Sequence, residues 1–173
     1  MFGKWILDLK IKYYELITRN DVPSPKSEWA LDWDKMIHLD AEELAEQGLA
    51  TFYDFIQPEL SKFIAAPNPL TEIRDENDFY SVESGGYVWP IVDETSMTSG
   101  DVWLNAAFAF FEMVNQQLRD TDYRLYAFYA GNDLSGMFLT EEEAEQSMAK
   151  LPSKADWPYL VTLEPEYNGR YHD

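Results

Sequence analysis

The fold class follows from YRLYAFYAGNDLSGMFL, residues 123–139, in which two runs of aromatic and aliphatic residues flank a polar turn. Residues 123–130 have the composition of a buried β-strand. Residues 131–133 are Gly-Asn-Asp, which can reverse the chain, and residues 136–139 supply a returning strand. The stretch therefore predicts a β-hairpin.

A second hairpin is predicted upstream of the first. Residues 79–82 and 87–89 are rich in aromatic and branched side chains, and they flank Glu-Ser-Gly-Gly at residues 83–86. A Gly-Gly pair between two such runs is typical of a tight hairpin turn. Near the end of the chain, residues 159–163 can add an edge strand.

A helix is predicted near residues 40–64. Asp40 can cap its first turn, and Glu43 stands three residues later, as in a capping box. Apolar residues recur on one face from there to residue 64. Because Pro58 interrupts the pattern, either this helix kinks or a second helix begins with Pro58 in its first turn.

Two further helices follow from caps and periodicity. Ser99 or Asp101 can cap an amphipathic helix over residues 101–118, and this helix is expected to pack across the sheet. Thr140 precedes three glutamates, which favour a helix start because the helix dipole stabilises acids there. That last helix is predicted to end near Leu151, before Pro152.

These elements predict a single domain over residues 1–173. Its class is α+β, with an antiparallel sheet built from the two hairpins and covered on one face by the helices near 40–64 and 101–118. Residues 1–17 fit both a strand alternation and a helical face, and the length of the pattern favours a helix. Residues 21–27 contain two prolines and predict a loop.

The charge balance points to a binding function. The chain has 13 Lys+Arg against 32 Asp+Glu, a net charge of −19 on 173 residues. Such a field repels nucleic-acid phosphates and anionic membranes, and it speeds encounter with basic molecules. We expect a basic protein partner and no direct binding to nucleic acid or membranes. The alternative interpretation is that self-repulsion only keeps the protein monomeric.

The chain is expected to reside in the cytoplasm. It has no cysteine, which fits a reducing compartment and removes disulfides, thiolate metal sites and cysteine nucleophiles. Asp8 and Lys10 interrupt the apolar opening of the chain, which is unlike the core of a signal peptide. No apolar run approaches the ~18 residues of a membrane span.

No motif predicts catalysis. Gly131 and Gly136 have the spacing of a phosphate-binding loop, but Met137 and Phe138 occupy the positions where Lys and Ser or Thr would be needed. The two histidines, His38 and His172, have no metal-ligand spacing. We therefore predict no catalytic residue, no metal and no cofactor. The alternative is a carboxylate-dependent hydrolase or metal-binding enzyme, because acids can converge in space without a sequence motif.

Acidic clusters flank the predicted hairpins and helix starts. If the sheet gathers these loops at one edge, the acids form a continuous negative rim for a basic partner; otherwise they serve capping and solubility. Two aromatic residues outside strong periodic patterns are predicted anchors, although their rings could instead fold back onto the sheet. The predicted partner-binding residues are Asp75, Glu76, Asp78, Glu83, Asp93, Glu94, Glu141, Glu142, Glu143, Glu145, Trp157 and Tyr159.

A family resemblance rests on AFYAGNDLSGMFLT, residues 127–140, followed by a short helix and DWPY, residues 156–159. This part of the chain resembles the small acidic α+β immunity proteins of bacterial toxin systems. The resemblance implies a non-enzymatic cytoplasmic inhibitor that binds one cognate toxin and occludes its active site. Many such toxins are nucleases with basic substrate grooves. A further alternative is an adaptor without a toxin, which a large exposed apolar patch would indicate.

Overall fold

A computed structural model describes residues 30–163 of the chain. The helix predicted over residues 1–17 and the loop predicted at 21–27 lie outside the described residues. Between residues 30 and 163 the strands are β1 Ile37–His38, β2 Leu70–Arg74, β3 Tyr80–Ser84, β4 Tyr87–Val92, β5 Tyr123–Phe128 and β6 Ser135–Thr140. The α-helices of the same range are α1 Ala41–Gln47, α2 Leu49–Leu60, α3 Glu94–Ser99, α4 Val102–Leu118 and α5 Glu141–Lys150.

The strands of this range form two antiparallel sheets of three strands each. One has the order β2-β3-β4 and contains the hairpin at residues 80–92. The other has the order β1-β6-β5 and contains the hairpin at residues 123–140. The α+β class and both predicted hairpins are thus confirmed. The hairpins do not share one sheet, however, as the sequence had led us to expect.

The outer edges of β4 and β5 explain why the two hairpins do not pair. Pro90 in β4 has no backbone N–H to donate, and prolines in sheets are confined to edges, first positions or bulges. On β5, Ala127 exchanges two backbone hydrogen bonds with Tyr159, with N···O distances of 2.8 and 2.9 Å. This bridge occupies the edge of β5, and it is what the described residues retain of the strand predicted at 159–163.

Helix α4 connects the two sheets within one hydrophobic core. It contacts both β4 and β5. Its buried stripe includes Ala106, Phe110, Val114 and Leu118, which recur at the spacing of one helical face. Buried residues of both sheets and of α1, α2 and α4 belong to a single cluster. The position of each sheet is therefore set by its packing against α4.

The caps and breaks of the helices agree with the sequence in part. The Asp40 carboxylate accepts the N–H groups of Glu42 and Glu43 at 2.9 and 3.2 Å, so the predicted cap of α1 is confirmed. The break falls at Gly48, whose φ of 93° lies outside the helical region, and not at Pro58, which lies inside α2. Asp101 precedes α4 without a side-chain cap hydrogen bond.

Helix α5 begins with the predicted capping box. The Thr140 hydroxyl accepts the N–H of Glu143 at 3.2 Å, and the Glu143 carboxylate accepts the N–H of Thr140 at 2.8 Å. Two of the free N–H groups at this helix start are satisfied in this way. The predicted helix after Thr140 is confirmed.

Candidate protein-binding surface

One face of the β2-β3-β4 sheet is open to solvent. Along β3 the buried residues Tyr80, Val82 and Ser84 alternate with Ser81 and Glu83, which point away from the core. The strand register extends this alternation across the sheet. We call this surface the outer face; its rows are Thr71, Glu83 and Val88, and Ile73, Ser81 and Pro90.

The outer face is partly apolar. Ile73 is 40% exposed and Val88 is 57% exposed. Glu83 stands on the central strand directly opposite Val88, so a carboxylate adjoins the apolar side chains. Neither Ile73 nor Val88 was predicted from the sequence as a surface residue. The signal for Ile73 was its two-residue spacing from Thr71, which places both on one face of a strand. Strand β2 is too short for that spacing to stand out.

Five acids lie at one end of the same sheet. Asp75, Glu76 and Asp78 lie in the connection from β2 to β3. Because Tyr80 pairs with Val92, the end of β4 reaches the same end of the sheet and brings the next two residues, Asp93 and Glu94, with it. We call this group the acidic end; its members are Asp75, Glu76, Asp78, Asp93 and Glu94, of which all but Asp93 are exposed.

Two members of the acidic end also have structural roles. The Asp75 carboxylate accepts the N–H groups of Asn77 and Phe79 at 2.8 and 3.0 Å, which orders the turn. Asp93 caps α3 by accepting the Ser96 N–H at 2.7 Å. That N–H, together with the Ser96 hydroxyl, holds the pKa of Asp93 below its ordinary value. Asp93 is therefore a reliably charged member of the group.

The acids of α5 lie elsewhere. The start of α4 is tied to β4 by the Asn105 amide, which donates to the Ile91 carbonyl at 3.3 Å. Its other end is tied to β5, because Arg124 donates to the Leu118 carbonyl at 2.9 Å. Thr140, which precedes the α5 acids, pairs with Tyr123 at this second end. At 1.5 Å per residue α4 is about 25 Å long. The predicted continuous rim is therefore divided: the acidic end is separate from Glu141, Glu142, Glu143 and Glu145, and Glu83 lies on the outer face.

Both predicted aromatic anchors are largely buried by contacts with other residues of the chain. Tyr159 is only 8% exposed, and its hydroxyl donates to the Tyr129 carbonyl. It therefore offers no exposed ring to a partner. Trp157 is half-buried; its Nε1 donates to the Leu151 carbonyl at 3.3 Å, and the Lys154 ammonium lies 5.6 Å from its ring centroid. Its burial against residues of its own segment makes it a lesser candidate than the outer face.

Among the residues of the adjoining strands and turns, Arg74 is the one positively charged side chain near the acidic end. Its guanidinium carbon lies 4.4 Å from the centroid of the Tyr80 ring. Ion pairs elsewhere join sequence neighbours on the surface, such as Lys35 with Asp32. Exposed pairs of this kind contribute about 0–1 kcal/mol each. They leave the negative field of the molecule largely in place.

Within residues 30–163 no group of three or more histidine or acidic side chains is arranged to hold a metal ion. Over the same residues no helix combines the length and apolarity that a membrane crossing needs. Comparison with protein-family models, curated proteins and solved structures finds no match to the chain. The fold thus defines an α+β protein, in which the outer face and the acidic end form the candidate binding surface.

Proposed function

We propose that this chain is a non-enzymatic acidic binding protein that inhibits a basic protein, with the outer face and the acidic end as its interface. One observation carries the proposal: a partly apolar sheet face adjoins a cluster of acids on a chain of net charge −19. Apolar contacts such as Ile73 and Val88 can supply buried area and slow dissociation. The acids speed encounter with a basic surface.

The proposed partner is a bacterial toxin, such as a nuclease, that the protein neutralises in the cytoplasm. A nuclease groove must attract phosphates, so it is lined by basic side chains. An acidic protein seated over that groove meets complementary charge and keeps substrate out. The resemblance of residues 127–140 and 156–159 to immunity proteins supports this assignment.

Affinity capture followed by an activity assay tests the proposed partner. The protein is used to capture partners from lysate of the source organism, and any neighbouring reading frame is co-expressed as a candidate toxin. We expect a basic protein that elutes with salt and loses its catalytic activity when the complex re-forms. Capture of acidic or neutral partners only, or undiminished activity in the complex, would contradict the proposal.

Two variants of equal charge separate the acidic end from the acids of α5. The first carries Glu76→Gln, Asp78→Asn and Glu94→Gln; the matched control carries Glu141→Gln, Glu142→Gln and Glu145→Gln. Both remove three charges, and neither removes Asp75, Asp93 or Glu143, which have structural roles. We expect the association rate constant to fall more in the first variant. Equal rates would remove the acidic end from the interface.

Apolar contacts are tested by Val88→Ser on the outer face. Val88 is exposed, so this change should leave the thermal midpoint within a few degrees of the parent protein. We expect dissociation to accelerate while association is unchanged, because short-range contacts act after encounter. Leu160→Ser, at an exposed apolar residue next to the Tyr159 bridge on the edge of β5, is the matched control and should leave dissociation at the parent rate.

A further inference from the structure

A polar cleft lies at the opposite face of the β2-β3-β4 sheet, beside the last turns of α4 and the connection from α2 to β2. Its volume is about 430 Å³. Volumes in this range are typical of small-molecule sites. We call it the Ser84 cleft; its lining includes Asn68, Ser84, Tyr87, Trp89, Gln116 and Asp120.

Ser84 lines the cleft with an unsatisfied hydroxyl. The residue is only 4% exposed, and its Oγ has no hydrogen-bond partner among the described residues. A buried hydroxyl without a partner is costly and uncommon in folded proteins. The Oγ is closed to solvent, so a molecule seated in the cleft supplies the missing hydrogen bond when a small shift of the lining opens the hydroxyl to it.

Aromatic rings form one wall of the cleft. Tyr87 and Trp89 share a face of β4, with ring centroids 5.9 Å apart and planes inclined by 36°. Tyr87 is 50% exposed, and it pairs directly with Ser84 across the hairpin. The cleft thus places an available aromatic ring next to an unsatisfied hydroxyl. A ligand with one apolar face and a polar rim matches both.

The opposite wall is held rigidly. The Asn68 N–H donates to the Gln117 amide oxygen at 2.7 Å, and the Tyr53 hydroxyl donates to the Asn68 carbonyl at 2.6 Å. The Gln117 amide donates in turn to the Tyr53 hydroxyl at 3.1 Å. A Cβ on Gly85, which has a φ of +58°, would lie 2.7 Å from the Asn68 amide nitrogen. The Asn68 side-chain amide is therefore packed against the hairpin turn, which fixes this wall of the cleft.

The charges at the cleft favour a neutral ligand. Arg119 and Asp120 both line it, and their side chains lie 3.6 Å apart, so their charges oppose each other. Asn68 and Gln116 add amides that both donate and accept hydrogen bonds. The net charge of −19 disfavours an anionic ligand such as a phosphate ester. The cleft thus combines an aromatic wall with balanced donors and acceptors.

We infer that the Ser84 cleft binds a neutral saccharide. A pyranose ring has an apolar C–H face that can stack on Tyr87. Its hydroxyl groups both donate and accept, as do the Asn68 and Gln116 amides and the Ser84 hydroxyl. This site is separate from the proposed protein interface, because it lies on the other face of the sheet. Saccharide binding and inhibition of a basic protein are therefore independently testable.

Titration calorimetry and ligand-observed NMR with the full chain test the inference. The probes are the mono- and disaccharides of glucose, galactose, mannose and N-acetylglucosamine, with glucose 6-phosphate and argininamide as charged comparators. We expect at least one neutral saccharide to bind with a millimolar or tighter dissociation constant, and both comparators to bind more weakly. No saccharide binding at 50 mM, or tighter binding of argininamide, would overturn it.

Variants locate the binding in the cleft. Tyr87→Ala should weaken saccharide binding at least about tenfold, which corresponds to about 1.4 kcal/mol. Ser84→Ala should weaken it as well while raising the thermal midpoint of the free protein, because it removes an unsatisfied buried hydroxyl. If Ser84 had only a structural role, its replacement would not lower the affinity for saccharide while raising the thermal midpoint. Val88→Ala, on the outer face, is the matched control; equal affinities for Val88→Ala and Tyr87→Ala would overturn the assignment.

Discussion

At the scale of single residues, helix α2 begins at a position that cannot cap itself. Gly48 precedes it and has no side chain. Two strand residues supply the missing acceptors: the Tyr80 hydroxyl accepts the Leu49 N–H at 2.9 Å, and the Glu72 carboxylate accepts the Ala50 N–H at 3.0 Å. A Cβ at Gly48 would lie 2.5 Å from the Glu72 carboxylate. The hydrogen bonds from Leu49 and Ala50 to Tyr80 and Glu72 thus join the start of α2 to the sheet.

Removal of one hydroxyl tests the cap from the sheet. Tyr80→Phe leaves the Leu49 N–H without its acceptor and the Glu72 carboxylate without the Tyr80 hydroxyl, which donates to it at 2.6 Å. We expect the free energy of unfolding to fall by about 1–3 kcal/mol, measured by urea denaturation. Tyr123→Phe, which keeps the ring packed against Phe63, is the control and should change it by less than about 0.5 kcal/mol. A loss of the same size in both variants would mean that the cap contributes nothing specific.

The same hydroxyl makes stability depend on alkaline pH. Burial, followed by the hydrogen bond to Glu72, raises the pKa of Tyr80 above its ordinary value of 10.0. The unfolded chain releases this proton at lower pH than the folded chain does. The stability that the protonated Tyr80 hydroxyl contributes is therefore complete below about pH 10 and is lost as the pH rises through the raised pKa. We expect the free energy of unfolding to decline as the pH rises above about 10, with a shallower decline in Tyr80→Phe. An unchanged slope in that variant would assign the dependence to other groups.

At the scale of elements, local signals predicted the hairpin turns and caps. Gly85 and Gly86 adopt φ values of 58° and 83°, which the Gly-Gly pair predicts for the turn between β3 and β4. Thr140 and Glu143 form their capping box from residues three apart. Such features were predictable because the residues that make them are neighbours in the chain.

Elements that depend on distant partners were not predicted. Strand β2 is exposed over residues 71–74, so no burial pattern marks it; it is held by pairing with β3. Helix α3 has the polar sequence ETSMTS and only six residues, too few for a helix without tertiary support. The candidate site shares this limit. Its acids were recognisable in the sequence, but which of them meet depends on strand register and on the length of α4.

The capping box of α5 should account for a measurable part of the stability. Thr140→Ala removes the hydroxyl that accepts the Glu143 N–H, and we expect a loss of about 1 kcal/mol in the free energy of unfolding. Glu145→Ala on the same helix is the matched control, since that exposed side chain lies outside the box. It should change stability by less than about 0.5 kcal/mol. Equal losses in the two variants would show that the capping box contributes nothing specific to the stability of α5.

At the scale of the whole molecule, the acidic excess acts on folding and on association with opposite sign. The net charge of −19 makes the compact state repel itself, and the ion pairs between surface neighbours offset little of that repulsion. The same charge attracts a basic partner over distances of about one Debye length, which is about 10 Å at 0.1 M salt. The feature that costs stability is thus the one that would speed the proposed association.

Salt separates these two effects in a single series of measurements. Between 20 and 400 mM sodium chloride, screening should weaken the internal repulsion, and we expect the thermal midpoint to rise by a few degrees. Over the same range the association rate constant with the basic partner should fall at least about tenfold, because long-range attraction is screened too. The dissociation rate constant should change less, since apolar contacts on the outer face are insensitive to salt.

Sucrose at matched osmolarity is the control: it should raise the midpoint without slowing association beyond its effect on viscosity. If the midpoint fell with salt, self-repulsion would not limit this fold. If association kept its rate, the acidic charge would have no part in finding the partner, and the outer face alone would have to explain recognition.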